Sequence, residues 1–124
     1  MIEVERGDGF TIAHSDELER AGNWRLVRRT LGCQAFGANL VEIPAGESIP
    51  EHDELERDQE ELFFTVSGSP ALVIEGEEHQ LPVGTFARLD PRQRRTVRNT
   101  GAQPASVLIV SAPRTSGYEP MEWA

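Results

Sequence analysis

The sequence predicts an all-β fold, a sandwich or barrel of short strands, and three observations carry that expectation. The chain has 11 glycines and 8 prolines among 124 residues and no lysine, its 12 basic residues all being arginine. That composition is poor for helix and rich in turn formers. From Trp24 onward, runs rich in β-branched and aromatic residues follow one another, each closed by a segment containing Gly or Pro. No long helical pattern separates the runs, and closely spaced strands without helices between them build sandwiches and barrels. A single domain over residues 1–124 is expected, long enough to bury about two thirds of its unfolded surface around one core.

Taken in order, the first element is at most a short helical turn. Ser15 caps Asp16-Glu17-Leu18-Glu19-Arg20, and Gly22 stops it. Strands then follow at 24–31, 34–43, 60–67, 70–75, 78–81, 85–89, 94–98 and 105–112. Their separators are Gly32, Pro44-Ala45-Gly46, Gly68-Ser69-Pro70, Glu75-Gly76-Glu77, Pro82-Val83-Gly84, Asp90-Pro91 and Thr100-Gly101, which supply the φ values of tight turns.

Alternation assigns faces. In 61–67, Glu61, Phe63 and Thr65 share one side, and Leu62, Phe64 and Val66 the other. In 71–74 and 107–110 both sides are apolar, so these strands are covered twice, once by the interior and once by something else. A second subunit, giving a homodimer, is one cover. The apolar tail Gly117-Tyr118-Glu119-Pro120-Met121-Glu122-Trp123 folding back over the sheet is the other.

Composition excludes several function classes. Twenty-one acids against 12 arginines leave a net charge of -9, which repels nucleic acid and anionic membrane. Cys33 is the one cysteine, so no intramolecular disulfide and no cysteine-based zinc site forms. The acidic start MIEVERGDGF fits neither a signal nor a transit peptide. The longest apolar run, Val107-Leu108-Ile109-Val110, is far shorter than the roughly 20 residues of a membrane helix. A soluble cytoplasmic domain is the expectation.

Charge is segregated along the chain. Seven acids surround His52 between Glu51 and Glu61, and Arg88, Arg92, Arg94, Arg95 and Arg98 cluster later. One reading is a solvated acidic loop and a basic edge strand that resists edge-to-edge pairing. The other is that the two segments meet, carboxylates against guanidinium groups.

Two spacings then stand out together. Gly46, five residues, His52, one residue, Glu54, followed by Glu61, six residues, Gly68, resembles the first motif of the cupin family. Gly76, five residues, Pro82, one residue, Gly84, followed by Arg95, three residues, Asn99, resembles the second. The resemblance spans 36–112 and implies a double-stranded β-helix, the jelly-roll barrel, with a metal or small ligand in its mouth and frequent dimerisation. It also implies where ligands lie: two histidines and a glutamate from the first motif, and a histidine from the second. Carried over, those places hold His52, Glu54, Glu61 and Arg95. His52 and Glu61 match the pattern. Glu54 replaces a histidine, with six residues between it and Glu61, a longer interval than the family's. Arg95 replaces the last histidine outright.

Arginine stays protonated and offers only donors, so it cannot ligate a cation. His52, Glu61 and Glu54 can still hold Mn²⁺, Fe²⁺ or Zn²⁺, but a nearby guanidinium weakens such a site. The favoured expectation is therefore no functional metal, with Arg95 pairing with Glu61 or Glu54. In that barrel mouth a small molecule binds, an anionic one if the Arg95 fork faces it. The alternative is a metal-dependent enzyme, a dioxygenase or isomerase, working through His52 and Glu61. His14 and His79 are expected at the surface, Asp53 and Glu60 in solvent, and Cys33 as a small buried apolar residue. Trp24, Phe36, Phe63, Phe64 and Phe86 are expected in a core or interface, some of them lining an apolar pocket wall.

Overall fold

A computed structural model describes residues 3–124. A hairpin of β1 (Glu5–Gly7) and β2 (Phe10–Ile12) leads through a 3-10 turn at Ser15–Glu17 to β3 (Arg20–Ala21) and β4 (Trp24–Arg25). A single α-helical turn, α1 (Val27–Leu31), precedes β5 (Gly37–Ile43) and β6 (Gln59–Ser67). The remaining strands are β7 (Ala71–Ile74), β8 (Glu77–Gln80), β9 (Phe86–Leu89), β10 (Arg95–Arg98) and β11 (Ala105–Pro113). The large sheet runs β3-β4-β5-β11-β6-β9 and the small one β10-β7-β8, all antiparallel. The segment after β5 lies along β10, with bridges at Ser48–Arg98 and His52–Arg95. The expected all-β architecture is present, and strands β5 to β11 fall within three residues of the sequence expectation at each end.

Three local expectations need correction. Residues 24–31 do not form one strand, because only Trp24–Arg25 pair before the chain turns into α1. Gly32 takes the left-handed conformation (φ 79°), and the N–H groups of Gly32 and Cys33 both donate to the Arg28 carbonyl. That closes a helix C-terminus, which overrides the β preference of Val27 and Thr30. The turn at Ser15–Glu17 is shorter than expected and is capped not by Ser15 but by His14, whose Nδ1 accepts from Asp16 N–H at 3.1 Å. The β1–β2 hairpin was not anticipated, although Asp8-Gly9 between two short apolar-containing runs is a hairpin signal.

The core lies between the sheets. Val41, Ile43, Phe63, Leu89, Val107 and Ile109 from the large sheet meet Leu72, Val97, Ile49 and Leu81. Asn99, fully buried, donates to the carbonyls of Ile43 (2.9 Å) and Gln103 (2.7 Å) and accepts from Gly101 N–H. Its second-motif position thus ties the end of β10 to the end of β5. Gly68 closes β6 with φ +81°, and a Cβ there would stand 2.8 Å from both Cα and Cβ of Ala105. Backbone strain and overpacking then act together, so Gly68→Ala is expected to destabilise by about 2–4 kcal/mol in urea denaturation. No helix among the described residues is long and apolar enough to cross a membrane.

Candidate ligand site in the barrel mouth

Three segments place the four site residues. Glu61 lies on the inward face of β6 with Phe63 and Thr65, all three buried, while Leu62, Phe64 and Val66 face outward, as the alternation predicted. Arg95 opens β10 on the same inward face as Val97, and its side chain is completely buried. His52 is fixed opposite Arg95 by reciprocal backbone hydrogen bonds of 2.9 and 2.8 Å. Glu54 is held by its N–H donating to the Pro91 carbonyl at 2.9 Å. Strands β6 and β10 and the extended segment between β5 and β6 therefore converge.

The four side chains form one chain of charge contacts, with His52 between the two carboxylates and Arg95 against Glu61. Arg95 Nη2 lies 3.2 Å and His52 Nε2 3.7 Å from Glu61 Oε1, and His52 Nε2 is 3.4 Å from Glu54 Oε1. Arg95 Nη1 donates to the Gln93 and Pro91 carbonyls, which aims the guanidinium. Arg95 Nε, Arg95 Nη2 and Glu61 Oε1 have no aligned hydrogen-bond partner among the described residues. The Arg95–Glu61 contact is thus a charge contact rather than a directional bond, and desolvation offsets much of its attraction. His52 Nδ1 lies 2.9 Å from the Pro50 carbonyl, so a proton there is donated backward and Nε2 is left toward the carboxylates.

The two halves of the charge pattern do meet. Besides Arg95–Glu61, Arg94 pairs with Glu51 (3.5 Å) and Arg88 with Glu60 (3.0 Å). The last two are exposed and stabilise little.

These contacts set the protonation behaviour. Glu61 beside the imidazole raises the His52 pKa above the ordinary 6.5, opposed by partial burial and helped by the Pro50 carbonyl and Glu54. Burial raises the Glu54 pKa above the ordinary 4.5, and the Glu61 charge adds to it, while His52 and Arg95 act the other way. Both groups hold a proton more tightly folded than unfolded. Each therefore contributes stability that is complete below its ordinary pKa and is lost as pH rises through the folded value. Urea denaturation from about pH 5 to pH 9 should show the stability gap between wild type and His52→Gln narrowing as pH rises.

A cavity of about 900 Å³ opens over the site. His52, Glu54 and Glu61 lie on its wall with Trp24, Phe36 and Ile109, and with Arg28 and Arg57. Arg95 is absent from that wall, standing behind Glu61. Cys33 lines the cavity half-buried, so it is not the enclosed core residue expected, and Asp53 also borders the cavity rather than standing free in solvent. Arg28 and Arg57 were not singled out in the sequence; nothing local distinguishes them from other surface arginines. Phe63 is core, whereas Phe36 and Phe86 are exposed; His79 is exposed and His14 half-exposed.

Residues 39–111 match the family model described as a cupin domain. The chain belongs to the cupin family. A cupin protein of Bacteroides fragilis superposes with a TM-score of 0.72 at 19% identity, over 90% of this chain and 94% of that one. A sugar phosphate isomerase from a cupin superfamily, from Silicibacter pomeroyi, gives 0.65 at 23% identity over 85% of this chain, which spans 60% of that protein. The Cupin_2 domain of an XRE family transcriptional regulator from Enterobacter cloacae gives 0.58 at 21% identity, over 64% of this chain and 84% of that one. No curated protein sequence matches the chain. At these identities the likeness speaks for the barrel and not for an activity.

Cupins often carry a metal, and the donor set tests whether this one suits it. Ligand atoms of His52, Glu54 and Glu61 lie within 4.8 Å of one another. The fourth place holds a guanidinium 3.2 Å from a Glu61 oxygen, whose positive charge repels a cation there. The residues do not fit the family's four-ligand centre.

Proposed function

We propose that this cupin binds a small polar molecule in the barrel mouth without a functional metal. His52, Glu54 and Glu61 contact the ligand, and Arg95 balances their charge from behind. The observation that carries the reading is the fully buried Arg95 guanidinium 3.2 Å from Glu61 Oε1. It supplies the positive charge against Glu61 that a cation supplies elsewhere, and it does so as a fixed part of the fold. The cavity has the size of small-molecule sites, and it mixes apolar walls with a few convergent polar groups. An anionic group on the ligand would be met by Arg28 and Arg57 on the wall, because the Arg95 fork is covered.

A second reading, a metal-dependent isomerase or dioxygenase, is favoured by the clustering of His52, Glu54 and Glu61 donor atoms. The structural neighbours include both a sugar phosphate isomerase and the cupin domain of a transcriptional regulator. A thermal-shift screen of sugars, sugar phosphates and small carboxylic acids, followed by calorimetry with a chelator present, separates the two. Binding that survives chelation and is lost in His52→Ala supports the first reading. Binding that requires Mn²⁺, Fe²⁺ or Zn²⁺ supports the second.

A further inference from the structure

Gly37, Ser111 and Glu61 form one cross-strand row on the inward face of the large sheet, across β5, β11 and β6, and all three line the cavity. The backbone does not demand glycine at position 37, since it lies outside the left-handed region. Space does: a Cβ there would stand 2.8 Å from Ser111 Oγ, the next nearest atom being the Ser111 carbonyl oxygen at 3.7 Å. The missing side chain leaves that hydroxyl open at the cavity wall, the use glycine serves where a backbone must be approached closely. Beside it, buried Glu61 Oε1 has no aligned hydrogen-bond partner among the described residues. Ser111 stands directly opposite Glu61, and such cross-strand pairs hold their Cβ atoms about 5 Å apart. A hydroxyl that both donates and accepts therefore lies next to a carboxylate oxygen that only accepts.

We propose that this row is a hydroxyl-reading subsite, and that the ligand is a small polyol carrying one oxyanion, a carboxylate or a phosphate. The inference rests on the reading of the mouth as a metal-free binding site. Two adjacent hydroxyls of the polyol engage the pair, one donating to Glu61 Oε1 and the other exchanging a hydrogen bond with Ser111 Oγ. Neutral donors suit Glu61 better than an ammonium group, because Arg95 Nη2 already sets a positive charge 3.2 Å from the same oxygen. Asn39, one row further along the same face, adds an amide to the cavity wall, and Trp24 adds apolar wall for the carbon skeleton. The oxyanion is met by Arg28 and Arg57, which line the cavity and belong to no ion pair among the described residues. Arg25, Arg88 and Arg114, in contrast, are held by acids. A guanidinium fork receives carboxylate and phosphate alike.

Calorimetry on the full chain with a chelator present tests this with D-gluconate, D-glucose 6-phosphate, sorbitol, which lacks the oxyanion, and hexanoate, which lacks the hydroxyls. One of the two hydroxylated anions is expected to bind roughly tenfold or more tightly than sorbitol and hexanoate, and the tighter of the two names the oxyanion. Ser111→Ala is expected to weaken that binding by about threefold to tenfold, the worth of one neutral hydrogen bond. Gly37→Ala, whose methyl meets only the Ser111 hydroxyl at close range, should weaken it at least as much, with an unchanged circular dichroism spectrum. Sorbitol or hexanoate binding as tightly as the hydroxylated anions overturns the inference, as does binding of none of the four. Hydroxylated anions held equally by wild type and Ser111→Ala, yet lost in His52→Ala, overturn it while the metal-free reading stands. Binding of these anions that appears only when Mn²⁺ replaces the chelator overturns that reading as well.

Discussion

Arg95→Leu is expected to lower the stability of the folded chain by about 3–5 kcal/mol. The reason is not the loss of a favourable bond, since no directional hydrogen bond joins Arg95 Nη2 to Glu61 Oε1. It is that Glu61, only 6% exposed, would keep its charge with no cation fixed against it inside the barrel. His52 remains 3.7 Å away, but it faces the cavity and serves Glu54 as well. One control separates this cause from simple damage. Adding Glu61→Leu to Arg95→Leu removes both charges and should recover most of the loss, because a matched apolar pair in such a place is often neutral or better. Arg95→Lys is expected to fall between, since an ammonium keeps the charge but not the guanidinium that reaches the Gln93 and Pro91 carbonyls together with Glu61. Chemical denaturation of the four proteins at neutral pH reads all of this.

Phe63→Ala is expected to cost a similar amount, about 3–5 kcal/mol, for an unrelated reason. Phe63 is the largest apolar side chain with no exposure at all, and it stands between Ile109 and Ala87 in the large sheet, facing Leu72 and Val97 across the core. Its removal opens a cavity that neighbours on two sheets cannot close. The effect should fall mainly on stability, with the fold retained at low denaturant. Val66→Ala, on the opposite face of the same strand and half-exposed, is the internal comparison and should change stability by no more than about 0.5 kcal/mol.

These two residues show what the sequence made legible. The period-two pattern of β6 put Glu61 and Phe63 on one face before any coordinates, and the alternation along β10 did the same for Arg95 and Val97. Strand existence and inward facing are local properties of a half-buried pleated ribbon, so they can be read from short windows. The convergence of His52, Glu61 and Arg95 followed from the resemblance to two spaced motifs, not from periodicity. What could not be read depends on distant backbone. Trp24–Leu31 was rich enough in β formers to look like a strand, yet Gly32 in the left-handed conformation and the Glu19 N–H bonded to Thr30 Oγ1 turn it into a helix. Arg28 and Arg57 reach the cavity because α1 and the loop before β6 border its mouth, a placement no local signal encodes. That Arg95 would stand behind Glu61 rather than face the cavity likewise required the tertiary arrangement.

The central claim, that a fixed guanidinium holds the place of a metal in this barrel, is tested most directly by the metal content of the protein purified without chelator. Elemental analysis before and after incubation with Mn²⁺, Fe²⁺ and Zn²⁺ should find each far below one ion per chain, with Arg95→His the variant that gains affinity. Near-stoichiometric metal in the wild type, lost on His52→Ala, would contradict it.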